Sequence, residues 1–370
     1  MQKKKDVLFL CQFFYPEYIS SATLPYDTAK ALVKAGLSVG VLCGYPKEYN
    51  NSDKNVSLNE NHAGIEIMRL KYVQVARNNI VGRLINYFSF TFAVFFRILE
   101  LNNYKSVIVY SNPPVLPLVA SIANKFFEIK IVYVCYDVYP EIAIKTKVIK
   151  EKSLICKVMN IINKFVYKNV SRVVALSCDM KELLLKNRSN LNQEKVVVIP
   201  NWYEDEFIKN IQESYDNNLF KCVKAKDKLV VSYFGNMGTA QDLDTFLNAI
   251  RYFKIDDQIV FLIAGHGNKL HTLKETVKNE SLRNVFIFDF LQGEDYKDAL
   301  NISDIFIVSL KEGLTGLAVP SKTYSYMMAG KPIIAIMGLD TDIIKDLIRN
   351  NAGFGIEVGD VNGLVDVTLL

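Results

Sequence analysis

The sequence predicts an α/β protein made of two doubly wound, parallel-sheet domains. Short apolar, β-branched runs alternate with helical stretches along the whole chain. Runs such as Val173–Ser177 (VVALS) and Val196–Pro200 (VVVIP) are almost continuously apolar, as strands buried on both faces are. With 370 residues the chain has room for about two domains of roughly 100–200 residues each.

The first series opens with a strand at Val7–Phe13. The chain start has a basic head, but Asp6, Pro16 and Glu17 break it up, so it reads as a strand rather than a secretory signal. Further apolar runs predict strands at Ser38–Cys43, Ile65–Leu70, Ser106–Tyr110, Ile131–Cys135, Val173–Leu176 and Val196–Ile199. Helices fall between them, near Leu24–Ala35, Gly82–Leu101, Pro117–Phe127, Lys152–Lys168 and Cys178–Lys186. Pro200–Lys228 is polar with little strand pattern, and reads as the crossing between domains. A second series follows, with strands at Val230–Phe234, Ile259–Ala264, Val285–Phe288, Asp304–Ser309, Pro332–Ile336 and Phe354–Glu357. The expected division is 1–200, a linker at 201–228, and 229–370. Two such domains would face each other across a cleft at their strand carboxyl ends, where ligands of these sheets bind.

Half the residues are hydrophobic and the net charge is only +5. Lys145–Arg172, however, holds eight Lys or Arg against one acid, Glu151. That stretch is either a solvated helix face or a patch for anionic lipid or phosphate. Leu84–Phe96 carries no charge over thirteen residues and is bracketed by Arg83 and Arg97. It is short for a spanning helix, which needs about 20 apolar residues. It fits a buried core helix or one that dips into a single leaflet. The six cysteines form no C-x-x-C pair, and several sit in apolar strand patterns, which suits a reduced, cytoplasmic setting.

Five stretches carry candidate chemistry. Ser20, Ser21 and Ala22 are small residues between strand one and helix one, where a phosphate or sugar could approach the backbone. Asp137 and Glu141, in YDVYPE, follow a buried strand, and either could orient a hydroxyl or act as a base. Gly235 and Gly238 flank Asn236 in one strand–turn–helix stretch, and Gly265 and Gly267 recur in the next. The most informative stretch is Ser309–Pro332. There Pro320, Ser321 and Lys322 stand at a helix entry beside the sheet edge, a place that suits a diphosphate. Pro is tolerated at such a start, Ser can cap it, and Lys adds a mobile positive charge. The three histidines and the cysteines show no metal-ligand cluster. No nucleophile elbow, Walker A loop or nucleic-acid reader motif occurs.

Taken in order, QFFYPEYISSATLPYDTAKALVKAG, YDVYPE, VIPNWYE, YFGNMGTAQDLDTFLNAI, AGHGNKL and GLAVPSKTYSYMMAGKP resemble the GT-B-fold glycosyltransferases of family 4. The likeness is to the branch that builds bacterial capsule, colanic-acid and O-antigen (lipopolysaccharide) repeats, and it spans nearly the whole chain. It implies a retaining, metal-independent, cofactor-free transferase. The donor would be a nucleoside-diphosphate sugar, UDP-linked, and the acceptor a lipid-diphosphate-linked glycan. The enzyme would be cytoplasmic and peripheral on the anionic inner face of the cell membrane.

The resemblance also assigns positions. Asn236 to Gln241 would face the donor diphosphate, and Gly316 to Lys322 would hold donor sugar and phosphates. Gly265 and Gly267 would lie near the nucleotide, Leu291 beside the base, and Asp137 toward the transferred sugar. Many members carry two glutamates eight residues apart, where this chain has Leu317 and Ser325; Glu312 is a nearby acid off that spacing. Many also carry Arg and Lys where Asn236 and Gln241 stand, so Lys322 is expected to supply the missing charge. Ser20 and Ser21 replace a frequent Gly-Gly. The family's closing crossover helix is expected to be missing. Two other readings are a UDP-sugar epimerase of the same fold and a non-catalytic, donor-binding partner subunit.

Overall fold

Two parallel sheets organise the chain in the computed structural model, which describes residues 4–46, 56–75, 80–203, 214, 216–217, 220–221, 223 and 227–370. One unit comprises Met1–Asn201 with Gly316–Val319, the other Trp202–Thr315 with Pro320–Leu370. Much of the expected linker, residues 204–213, 215, 218–219, 222 and 224–226, lies outside the described residues. Its described part from Trp202 onward belongs to the second unit.

The first sheet contains β1 (Lys5–Cys11), β2 (Val39–Gly44), β3 (Asn59–His62), β4 (Ile65–Leu70), β5 (Tyr104–Tyr110), β6 (Lys130–Cys135), β7 (Arg172–Ala175) and β8 (Val196–Val198). Their order is β3-β4-β2-β1-β5-β6-β7-β8. Every pair is parallel except β3–β4, an antiparallel hairpin closed by Ala63 and Gly64, both at positive φ. Strand β3 is not expected from the sequence, because NENH has no apolar signature. It survives as an edge strand whose pairing comes from its partner. The helices are α1 (Ser20–Lys34), α2 (Ile80–Phe95), α3 (Leu116–Phe127), α4 (Glu141–Lys145), α5 (Leu154–Asn169) and α6 (Cys178–Asn187). The single helix expected over Gly82–Leu101 is two elements, α2 and a 3₁₀ segment at Ile98–Asn103. Ser153 and Ser177 cap α5 and α6, accepting from the backbone N–H groups of Cys156 and Met180.

Helix α2 is neither simply buried nor simply exposed. Phe90 and Val94 are fully buried, while Val81, Ile85, Phe88, Phe92 and Phe95 form an exposed stripe at helical spacing. On the inner side, the Asn86 side chain bonds both the N–H and the C=O of Val75, at 2.8 and 2.9 Å.

The second sheet contains β9 (Leu229–Asn236), β10 (Ile259–His266), β11 (Val285–Phe288), β12 (Ile305–Ser309), β13 (Ile333–Ile336) and β14 (Gly353–Ile356). All pairs are parallel, in the order β11-β10-β9-β12-β13-β14. This is the 3-2-1-4-5-6 order of a doubly wound sheet, with its switch point between β9 and β12. The helices are α7 (Asp244–Tyr252), α8 (Leu270–Asn279), α9 (Gly293–Ile302), α10 (Lys322–Met328), α11 (Asp342–Arg349) and α12 (Val361–Thr368).

At the switch point, β9 and β12 pair only through Val231–Ile305 and Ser232–Phe306. Further along, Phe234 has no strand partner on that side. Tyr326 of α10 fills the place: its hydroxyl accepts from the Phe234 N–H at 2.7 Å and donates to the Phe234 carbonyl at 3.1 Å. Its ring stacks on Phe306 at 4.2 Å and 6°. Tyr326→Phe keeps the ring and strands both backbone groups in a dry interior. The expected outcome is a loss of about 1–3 kcal/mol, read as a lower urea midpoint at unchanged m-value.

Candidate functional site

In the second unit the site begins where β9 and β10 end side by side. Gly235 and Gly265 are opposite each other in register, both at positive φ. A Cβ on Gly265 would sit 1.9 Å from the Gly235 carbonyl oxygen, so only glycine fits. The expected glycine turns are therefore strand ends, and the turning is done by the residues after them. The Met237 N–H donates to the His266 carbonyl at 2.6 Å, and the Gln241 side chain accepts from the Gly238 N–H at 3.0 Å. Gln241 thus points into its own loop, while Asn236 is exposed at the strand tip.

Lys322 is the first residue of α10, four before Tyr326, so both lie on one helix face. Its stem is partly accessible, but its Nζ is sealed from solvent and has no hydrogen-bond partner among the described residues. The ammonium lies 3.5 Å from the centroid of the Tyr233 ring. A Cβ on Gly235 would meet the Lys322 Nζ at 3.6 Å. The ring face returns part of the lost hydration, but none of the three N–H donors has an acceptor. Burial therefore drives the Lys322 ammonium well below the ordinary lysine range. Burial and the Lys322 charge together push the His266 imidazole down.

The remaining positions of this loop have definite surroundings. Ser321 occupies the cap position of α10, but its backbone is already helical and its side chain makes no capping bond, contrary to expectation. The Ser325 hydroxyl is buried, donates to the Lys322 carbonyl at 2.9 Å and lies 2.7 Å from the Tyr296 hydroxyl. Leu291 is half-buried after β11, and Glu312 is exposed after β12.

The chain leaves this unit for Gly316–Val319. Gly316 sits at positive φ, and a Cβ there would come within 2.8 Å of the Asp179 carbonyl oxygen. The buried Leu317 accepts the Val138 N–H through its carbonyl at 2.9 Å, and Ala318 bridges to Asp137.

Asp137 follows β6. The Ser111 hydroxyl accepts the N–H groups of Tyr136 and Asp137, at 2.9 and 3.3 Å. Burial raises the Asp137 carboxyl to about 6. Glu141, expected as a possible acid, has both oxygens engaged by the Arg188 guanidinium, at 2.5 and 2.7 Å. Arg188 thereby ties Glu141 to the end of α6. Ser20 and Ser21 form the first turn of α1 rather than the loop before it. Tyr233, Tyr296, Tyr326, Ser111 and Arg188 complete the two neighbourhoods and were not singled out from the sequence. For Tyr326 a signal existed, its four-residue spacing from Lys322.

Residues 22–202 match the family model described as glycosyl transferase 4-like domain, and residues 214–368 the one described as glycosyl transferases group 1. The chain belongs to the family 4 glycosyltransferases, with the GT-B fold. It is 27% identical over 250 residues to the probable glycosyltransferase WbjE of Pseudomonas aeruginosa, covering 68% of this chain and 62% of that one. It is 24% identical over 163 residues to the putative colanic acid biosynthesis glycosyl transferase WcaI of Escherichia coli K12, covering 44% of this chain and 39% of that one. The chain thus matches less than two thirds of the length of either relative. Among solved structures, HepE of Anabaena in complex with UDP-glucose superposes with a TM-score of 0.72 at 15% identity, covering 99% of this chain and 89% of that one. WaaG, a glycosyltransferase involved in lipopolysaccharide biosynthesis, gives 0.69 at 15% identity, covering 98% and 89%.

An unpaired buried ammonium costs stability until an anion meets it. Lys322→Met is expected to stabilise the ligand-free protein by about 1–3 kcal/mol at pH 7. The lysine binds fewer protons folded than unfolded at every pH between its lowered value and 10.5, so wild-type stability rises with pH across that window. The gap to the Met variant should therefore close as pH approaches 10.5, as denaturation at several pH values will read.

Proposed function

We propose that this protein is a retaining glycosyltransferase of surface-polysaccharide synthesis. It moves a sugar from a UDP-linked donor to a lipid-diphosphate-linked glycan at the inner face of the cell membrane. The observation that carries the donor reading is the Lys322 ammonium, buried beside Gly235 and Tyr233 with no acceptor among the described residues. A diphosphate supplies the missing acceptors and charge. HepE, the structural neighbour with UDP-glucose, supports a nucleotide-sugar donor, and WaaG and WcaI support a surface-glycan setting.

Catalysis then rests on position and electrostatics. As the glycosidic bond breaks, charge grows on the departing diphosphate, and Lys322 stabilises that charge more than it stabilises the ground state. Backbone N–H groups near Gly316, Leu317 and Ser321 assist. Asp137, ionised above about pH 6, orients a hydroxyl of the sugar or acceptor. No role falls to a carboxylate at positions 317 and 325, which are leucine and a hydrogen-bonded serine.

The membrane reading rests on the first unit. Helix α3 touches both α2 and α5. These three elements and their ends carry exposed apolar side chains: Phe88, Phe92 and Phe96 of the α2 region, Phe126 at the end of α3, and Leu154, Ile155, Val158 and Ile161 of α5. All eight basic residues between Lys145 and Arg172 are exposed as well. Exposed aromatic and aliphatic side chains together with exposed lysines suit the interface of an anionic leaflet. Among the described residues no helix is long and apolar enough to cross a membrane.

Lys322→Ala should weaken UDP binding by calorimetry about 10-fold or more, and reduce transfer at sub-saturating donor by on the order of 10²-fold. Unchanged values would remove the donor assignment, and UDP binding without transfer to any lipid-linked acceptor would favour the partner-subunit reading. In flotation, wild-type protein should rise with phosphatidylglycerol vesicles at low salt and less at high salt. A Phe88→Ser/Phe92→Ser variant should remain in the soluble fraction, and flotation equal to wild type would count against the surface.

A further inference from the structure

Arg188 stands just beyond α6, yet its side chain is directed at the turn after β6. Only 8% of that side chain is accessible. Its two terminal nitrogens contact Glu141 at 2.5 and 2.7 Å, and one of them also donates to the Tyr139 carbonyl at 3.0 Å. Asn163 donates to the same carbonyl at 2.7 Å, and Asn187 to Glu141 at 3.3 Å. The guanidinium faces the Tyr167 ring at 5.6 Å. Earlier in the same turn, Ser111 holds Asp137 by its N–H, and the Leu317 carbonyl holds Val138. The turn that presents Asp137 is thus gripped at both places.

We propose that Arg188, through its fork on Glu141 and Tyr139, is the positioning residue that keeps Asp137 in its desolvated, reaction-ready place. This rests on the reading of Asp137 given above. A guanidinium suits the task because its planar donors match a carboxylate and still reach a carbonyl, which a lysine cannot do. Arg188 and Glu141 neutralise each other, so their joint effect on Asp137 comes through geometry rather than net charge. The titratable neighbours of Asp137 are Cys135 and Tyr139. Burial pushes the Cys135 thiol up to about 12 and the Tyr139 hydroxyl higher than its ordinary value, so neither charges where Asp137 does.

The test follows the Asp137 carboxyl in the ligand-free full chain, by infrared titration of protein carrying ¹³C-labelled aspartate. Asp137→Asn identifies the band. In wild type the band should titrate near 6. In Arg188→Lys, and in the double variant Arg188→Met/Glu141→Leu, it should move down by about one unit or more as water reaches the released turn. Amide exchange at Val138 should accelerate on the order of 10-fold in both. The double variant replaces a buried ion pair by apolar side chains, which often leaves stability intact, and the lysine variant keeps the charge should the double fail to fold. A lower melting temperature with the Asp137 titration unmoved, or moved upward, overturns the proposal and leaves Arg188 a purely structural residue. The underlying reading fails separately, if Asp137→Asn releases UDP from UDP-glucose at the wild-type rate.

Discussion

Beyond Phe306 the strands β9 and β12 no longer pair, and the Tyr326 hydroxyl satisfies both backbone groups of Phe234 that the missing ladder leaves behind. A parallel sheet at its switch point must open, because helices on either side of it lie on opposite faces. Opening exposes backbone polar groups to a dry interior, and these must be met. A tyrosine can meet an N–H and a C=O at once, whereas a phenylalanine or leucine cannot. Once Tyr326 is fixed, α10 is fixed in rotation and depth. Lys322, one turn earlier, is then directed toward Tyr233 and the Gly235 tip, and Ser325 toward Tyr296. The Lys322 neighbourhood is a consequence of how the sheet is repaired where it opens.

The surroundings of Lys322 and those of Asp137 each accept strain that a purely structural core would avoid. Lys322 gives up its hydration for one ring face. Asp137, in the other unit, is held where its ionised form is disfavoured. Sites for binding and catalysis commonly depart from the rules that satisfy a core, and the rest of the fold absorbs the difference. Here the absorbing elements are well made. The second sheet buries Val231, Phe246, Phe261, Ile307 and Ile334 in one continuous cluster, and the β6 turn is tied down by Ser111, Asn163 and Arg188.

Much of the architecture was readable because parallel strands leave a strong signature. Uninterrupted runs such as VVALS have few other homes, and their alternation with helices defines the class. The polar edge strand Asn59–His62 was unreadable for the complementary reason, since its pairing is imposed by β4. Loop chemistry was legible in part. Gly235, Gly265, Gly316 and Lys322 stand at functional-looking positions because backbone approach and charge demand particular residue types. Partners far apart in sequence left no local trace: Arg188 with Glu141, Ser111 with Asp137, Tyr326 with Phe234. Nor does a periodicity of 3.6 tell an inward phenylalanine from an outward one when both faces are apolar, which is why α2 fitted two readings.

Gly316–Val319 belongs to the first unit although its flanks belong to the second. For recombination this has a plain consequence. A chimaera spliced at residue 201 would bring a foreign four-residue insert to the β6 turn, where the Leu317 carbonyl and Ala318 backbone must match Val138 and Asp137. The heritable module is therefore not the N-terminal segment alone but that segment with its distant tetrapeptide. Exchange of second units between relatives will succeed most readily where these two pieces travel together.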